Sequence, residues 1–357
     1  MKNIIKTAGF GLLLTILAAC GNGGDTAPAP APEAAPADTG ETVDLGNAPE
    51  GQEDVTLVLS TVTNEAGAWG GEQLVEVAYE LSGGTLIIDH FPANQLGPDR
   101  QVIEDTIFGN IDIAMSATSA LVDLFPDLAL FDTHFLFRDH AHAHANLGGP
   151  VGRQLLDSMY THGLLGMAFW EMGFRNLTNS VRAVHTPADL NGMVVRTLEN
   201  PLHIAVWNSL GANPTPMSFA EVFTALQQGT VDGQENPLSI IDANSLYEVQ
   251  DYIVLTQHAY VPHVVAMNMD RFNSLSPFHQ EVILEAFATV TPMQWARSGD
   301  GEQAIYDRLS QRDDVSIISL TPEQHQQFAD NVAEGDALNL VRETMNNPHL
   351  IDEVMGN

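Results

Sequence analysis

Two arginines and one short block carry most of the binding chemistry open to this sequence. Arg175 stands in Trp170-Glu171-Met172-Gly173-Phe174-Arg175 and Arg196 in Met193-Val194-Val195-Arg196-Thr197, both ahead of Asp232-Gly233-Gln234-Glu235-Asn236-Pro237. The chain has 46 acidic residues against 13 Lys and Arg, a formal net charge of -33, so an arginine in a mostly apolar stretch needs a reason. Both arginines lie beside residues that read as strand or strand end, which places them on rigid backbone. A guanidinium held that way presents a planar fork that matches a carboxylate bidentately. The expected chemistry is the binding of small organic acids.

Other chemistries fare less well. There is no Gly-x-Ser-x-Gly elbow, no phosphate-cradling P-loop and no His-Glu-x-x-His motif, so an enzyme is not expected. His140 and His144 would share one face of a helix as an i, i+4 pair able to hold zinc. The segment Asp139 to Leu156 nonetheless reads as one amphipathic surface helix, and neither a metal nor a cofactor is expected. A binding protein that takes up a metal through its histidines is the alternative reading. His134, His258 and His263 lie near the expected hinge, and whether they reach a cleft stays open. The acidic surface disfavours nucleic acid and repels anions at distance. In high salt that repulsion is screened within about 3 Å at 1 M, so local arginines decide binding.

The elements that position these residues follow an α/β pattern. Val55 to Ser60 alternates like a strand, Trp69 to Leu81 repeats apolar residues at helical spacing, and Thr85 to Phe91 reads as another strand, a β-α-β unit implying a parallel sheet. Pro98 opens a second helix that Gly109 closes before a strand at Ile111 to Met115. Further on, Met193 to Arg196 reads as strand and Pro201 to Leu210 as helix. Ser218-Phe219-Ala220-Glu221 fits a capping box for a helix that Gly229 ends. Pro277 to Asp307 is mostly helical. The ~300 residues after the N-terminal segments exceed one core, so two lobes are expected.

The N-terminus reads as an address. Residues 1–19 carry Lys2 and Lys6 and then an apolar run too short to span a bilayer, as a signal peptide does. Both lysines of the sequence lie there, so the mature chain relies wholly on arginine, which suits an alkaline or salty medium. Leu17-Ala18-Ala19-Cys20-Gly21 resembles a lipobox, which would make Cys20, the single cysteine, the lipid attachment site and exclude a disulfide within the chain. Residues 20–53 read as an Ala/Pro-rich acidic tether, expected to be disordered.

From about Val55 to His325 the sequence resembles the substrate-binding proteins of TRAP transporters, of the dicarboxylate-binding (DctP) type. The resemblance rests on Asn94-Gln95-Leu96-Gly97, Gly109-Asn110-Ile111-Asp112, Gly173-Phe174-Arg175, Asp189-Leu190-Asn191-Gly192, Arg196 and the blocks Gly211 to Phe219 and Asp232 to Pro237. It implies a two-lobed, periplasmic-binding-protein-like (Venus flytrap) α/β fold with a hinge and a long lobe-spanning helix, over residues 54–357. Lobe I would hold about 54–170 plus about 258–275, and lobe II about 171–257 plus the C-terminal helices. It also implies that Arg196 grips a ligand carboxylate, Arg175 supports it and Asn236 adds a hydrogen bond, with Phe219 and Trp170 nearby and Ser60, Asn64, Trp69 and Gln95 facing them. Loss of either arginine should spare the fold, because a cleft arginine is not core packing. The implied partners are a small organic acid anion, the small and large membrane subunits of the transporter, and the membrane through the lipid anchor on its outer face. Ala117 stands where some sialic-acid binders of the family carry glutamate, which leaves a four-carbon dicarboxylate or a sugar acid such as a uronate.

Overall fold

The computed structural model describes Leu45, residues 48–62 and residues 65–356. Cys20, the signal segment, most of the tether and Asn64 lie outside the described residues. Two sheets carry the strands. The first has the order β2 (Leu86–Phe91), β1 (Val55–Ser60), β3 (Ile113–Ala117), β10 (His263–Asn268) and β4 (Leu164–Trp170). The second runs β11 (Ser316–Ser319), β9 (Tyr252–Tyr260), β5 (Phe174–Asn179), β8 (Gly233–Pro237), β6 (Val194–Thr197) and β7 (Asn213–Pro216). β1 pairs in parallel with β2 and β3, as the β-α-β reading requires, whereas β10 enters antiparallel to both β3 and β4.

β10 shows why its sequence is apolar without alternation. Val264 and Ala266 join one hydrophobic core while Val265 and Met267 join another on the opposite face. A strand buried on both faces reads as a continuous apolar run. Helices α1 (Glu65–Leu81), α2 (Asp99–Ile107), α3 (His140–Leu147) and α4 (Pro150–Ser158) pack around the first sheet. The second sheet is joined by α5 (Pro201–Ser209), α6 (Phe219–Gln227) and α7 (Leu238–Ala243). After α8 (Met269–Ser274) come α9 (Pro277–Leu309), α10 (Pro322–Glu334), α11 (Ala337–Thr344) and α12 (His349–Gly356).

The chain passes from the first sheet to the second at Glu171–Gly173 and returns through Val261 and Pro262. α9 spans 33 residues, about 50 Å at 1.5 Å per residue. Its early residues Val282, Ile283, Phe287 and Val290 lie in the first sheet's core, and Leu309 lies in the second's with Ile253. It ties both lobes together along one edge.

Two local expectations fail. Asp139 to Leu156 is two helices, broken at Gly148-Gly149-Pro150, and His142 is buried, its ring 3.0 Å from the Val354 carbonyl. Ser218 precedes α6 without a side-chain cap bond, and the Glu221 amide donates to the Ser218 carbonyl at 3.1 Å instead.

Candidate functional site

β1 ends at Ser60, β3 at Ala117, β6 at Thr197 and β8 at Pro237, and open α/β sheets usually take their ligands beyond the C-terminal ends of strands. Arg175 begins β5 and sits opposite Pro237, one register step from the Asn176–Asn236 pair. Its side chain is 2% exposed and that of its partner Glu235 is 0% exposed. Nε bonds Glu235 Oε2 at 2.5 Å, while Nη2 bonds Glu235 Oε1 at 3.0 Å, the Glu235 carbonyl at 2.7 Å and Asn236 Oδ1 at 3.1 Å. Burial works to raise the Glu235 carboxyl, but Arg175, His258 and His203 outweigh it and hold it well below the usual carboxylate range. Arg175 is thus committed to an internal pair. Asn236 is likewise drawn inward, its amide nitrogen donating to Gln234 Oε1.

Arg196, on β6, is held differently. Nε and Nη2 both donate to the Met217 carbonyl, at 3.1 and 2.7 Å, and its guanidinium lies 5.9 Å from the Phe219 ring centre. Its hydrogen bonds go to that carbonyl rather than to Glu199. Nη1 is buried with no hydrogen-bond partner among the described residues. Burial pushes the Arg196 pKa down to about 10, against the pull of Glu235, Glu199 and Asp99. One edge of the fork is fixed by the backbone, and Nη1 is left without an acceptor among the described residues.

The first lobe carries unpaired polar atoms of its own. Ser60 Oγ, at the end of β1, and Asn94 Oδ1 are buried without partners among the described residues. His263 Nδ1, at the start of β10 and opposite Ala117, is in the same condition. Burial, with Arg175 adding to it, lowers the His263 pKa to about 3, so the ring is neutral. Asp99 accepts from the Ala117 amide at 2.7 Å and from Ser116 Oγ at 3.3 Å. Burial raises its pKa despite those bonds and despite Arg196.

The structure corrects one of the expected site residues and places two others. Trp170 is fully buried in the first-sheet core against Phe287, its indole nitrogen 3.4 Å from Thr291 Oγ1, because its side chain takes the α9 face of β4. Gln95 is exposed. Its neighbours Ala93 and Asn94 adopt left-handed backbone, with φ of 55° and 60°, and that turn presents Asn94 to a cavity shared with Phe219, Phe223 and Asn244. Trp69 is half-buried, with the Arg297 guanidinium 5.9 Å from its ring centre. Sequence reasoning missed Asn94, although Asn is the residue best suited to left-handed backbone. It also missed the histidine layer behind Glu235. There His258 Nε2 lies 3.1 Å from Glu235 Oε2, His203 Nε2 lies 2.9 Å from Asp132 Oδ1, and the His134 ring stacks 5.3 Å from His258. Burial lowers the pKa of both His134 and His258, His134 further because of its histidine neighbours.

A second polar cluster lies where β4 crosses to β5. His140 Nδ1 contacts Glu171 Oε1, and His144 Nε2 lies 2.8 Å from Glu171 Oε2. Hydrogen bonds that the His140 ring donates to the Glu171 and Glu302 carboxylates raise its pKa to about 10.

The family model for bacterial extracellular solute-binding protein, family 7, matches residues 60–335. The 2,3-diketo-L-gulonate-binding periplasmic protein of Escherichia coli K12 is 39% identical over 255 residues, 71% of this chain and 77% of that protein. The C4-dicarboxylate-binding periplasmic protein of Rhodobacter capsulatus is 30% identical, over 58% of this chain and 62% of that protein. Among solved structures, the sugar acid binding protein of Advenella mimigardefordensis in complex with galactonate superposes with a TM-score of 0.80 at 32% identity, covering 85% of this chain and 97% of that one. None of these is a metal carrier or an enzyme by its name. The two sheets, the crossing segments and the arginine pair on the second sheet thus coincide with a family match over most of the chain, which belongs to bacterial extracellular solute-binding protein family 7, the TRAP solute-binding proteins.

Proposed function

We propose that the chain is the extracytoplasmic, ligand-capturing component of a TRAP transporter. In this reading it takes a hydroxylated monocarboxylate, a sugar acid, in preference to a four-carbon dicarboxylate. It hands that ligand to the small and large membrane subunits while anchored through lipid on Cys20. The observation that carries the ligand class is the unequal state of the two arginines. Arg196 has a buried nitrogen without a partner, while Arg175 is consumed by Glu235. One available guanidinium suits one carboxylate. The unpartnered Ser60 Oγ, Asn94 Oδ1 and His263 Nδ1 suit hydroxyl groups, which both donate and accept. Similar proteins are described with galactonate, D-erythronate and succinate, so both ligand classes occur in the family.

Isothermal titration of the folded chain with galactonate, D-erythronate and succinate tests this. A carboxylate closed into the cleft gives up its water, and truncating its buried partner costs about 3 to 5 kcal/mol. Arg196→Ala is therefore expected to weaken sugar-acid binding at least ~100-fold, and Arg196→Lys, which keeps the charge without the fork, to restore only part. Binding within about threefold of wild type by a folded Arg196→Ala protein overturns the clamp. Tighter binding of succinate than of either sugar acid overturns the ligand class.

A further inference from the structure

The cluster at the hinge uses residues that the carboxylate site does not. α3 presents His140 and His144 one turn apart, and both meet Glu171, the first residue after β4. Sequence spacing offered only the two histidines, because the third group lies 27 residues beyond His144 and arrives through the fold. His140 Nδ1, His144 Nε2 and a Glu171 oxygen lie within 4.8 Å of one another.

Each of the three is held in place by something else. Gln294 of α9 grips the Glu171 backbone from both sides, accepting from its amide at 2.7 Å and donating to its carbonyl at 2.9 Å. Trp295 stacks on the His144 ring with centres 4.5 Å apart and donates to the Phe169 carbonyl. Glu302 lies 3.4 Å from His140 Nε2. That is the place an outer carboxylate takes behind a metal-ligating histidine, where it would keep a proton on Nε2 once a metal had displaced the one on Nδ1. The Tyr260 ring packs edge-on to His140 with centres 6.3 Å apart, and its buried hydroxyl lies beside Glu171.

We propose that His140, His144 and Glu171 form a divalent-metal site of the zinc class on the hinge, with Glu302 as the outer carboxylate that orients His140. Two imidazoles and one carboxylate suit Zn²⁺ and its late first-row neighbours rather than Mg²⁺ or Ca²⁺, which prefer all-oxygen shells. The side chains of His140 and His144 are 38% and 25% exposed, which leaves a solvent side for the fourth ligand. The metal here is structural and not cargo. It ties α3 to the segment that must flex when the lobes move.

The test uses the untagged full-length mature chain, stripped with chelator and then titrated with Co²⁺ by absorption and with Zn²⁺ by competition against a chromophoric chelator. One equivalent is expected to bind, with Co²⁺ giving the d–d bands of a low-coordinate site. His140→Gln with His144→Gln should lose at least ~100-fold in affinity, and Glu302→Gln, which removes no ligand, about 10- to 100-fold. Circular dichroism checks folding, and organic-acid titration of the stripped protein reads the carboxylate site independently. Binding that is absent, or that survives the double substitution because other histidines supply it, overturns the proposal and leaves the cluster as an ion pair alone.

Discussion

Replacing each arginine by methionine should move stability in different directions. In the unliganded protein Arg196 carries an unrelieved cost: burial lowers its pKa from 12.5 to about 10, which at ~1.4 kcal/mol per unit is about 3 kcal/mol. The sign follows from which state binds the proton less well. The folded state does, so the cost is present in full below the folded pKa, including pH 7, and fades only as pH rises above about 10. Arg196→Met removes that cost but deprives the Met217 carbonyl of both donors, a loss of about 1 to 3 kcal/mol. The net expectation is a change between zero and about 2 kcal/mol toward greater stability. Arg175→Met leaves Glu235 charged at 0% exposure, which costs about 3 to 5 kcal/mol and lowers the melting temperature by roughly 10 °C. That departs from the sequence expectation that the fold tolerates loss of either arginine. Urea unfolding at pH 7.5, with and without a saturating sugar acid, measures both. At 100 times the wild-type Kd the ligand adds about 2.7 kcal/mol to wild type and at most about 0.4 kcal/mol to Arg196→Met. An Arg196→Met protein less stable than wild type by 2 kcal/mol, or an Arg175→Met protein within 1 kcal/mol of it, refutes the reasoning.

The other predictions are simpler. His263, with its pKa lowered to about 3, takes up a proton only on unfolding below its ordinary value, so folding stability from this residue falls by about 2 kcal/mol between pH 8 and pH 5; His263→Gln should remove that part of the slope in urea melts at the two pH values. Gly152→Ala should destabilise by at least about 1 to 3 kcal/mol, because the added carbon would lie 1.9 Å from the Leu147 carbonyl where α3 meets α4; an unchanged thermal midpoint counts against that packing. Cys20→Ser should move the protein from the membrane fraction to the soluble one while sugar-acid affinity is kept, and an unchanged membrane fraction argues against the lipid anchor.

Local periodicity made β1, α1 and β2 legible, and the Pro at each helix start fixed α2, α5 and α9 to within a few residues. Side-chain direction at strand ends was harder. Trp170 and Arg175 both flank the crossing segment, yet one faces the α9 core and the other the buried Glu235, and only the sheet's alternation combined with its packing partner decides this. The Gly148-Gly149-Pro150 break was plain in the sequence but hidden by an apolar pattern that continued across it. Long-range groups were invisible for a geometric reason. Glu171 reaches α3, and Glu235 reaches Arg175 across 60 residues, through contacts that no local spacing encodes.

The position of β10 bears on how the molecule is made. Residues 263–268 lie between β3 and β4, strands that left the ribosome long before them. Until residue 268 of 357 has emerged, the first sheet consists of two separate edges, and every strand of the second sheet except β11 precedes its completion. Neither half can be cut out as a self-standing piece. Such non-local pairing closes slowly, because the loop entropy is spent before the contacts form. The first sheet is therefore completed only after about three quarters of the chain has been made. A nascent chain of this topology stays unfolded and extensible for most of its synthesis, the condition in which a polypeptide can be threaded through a narrow channel.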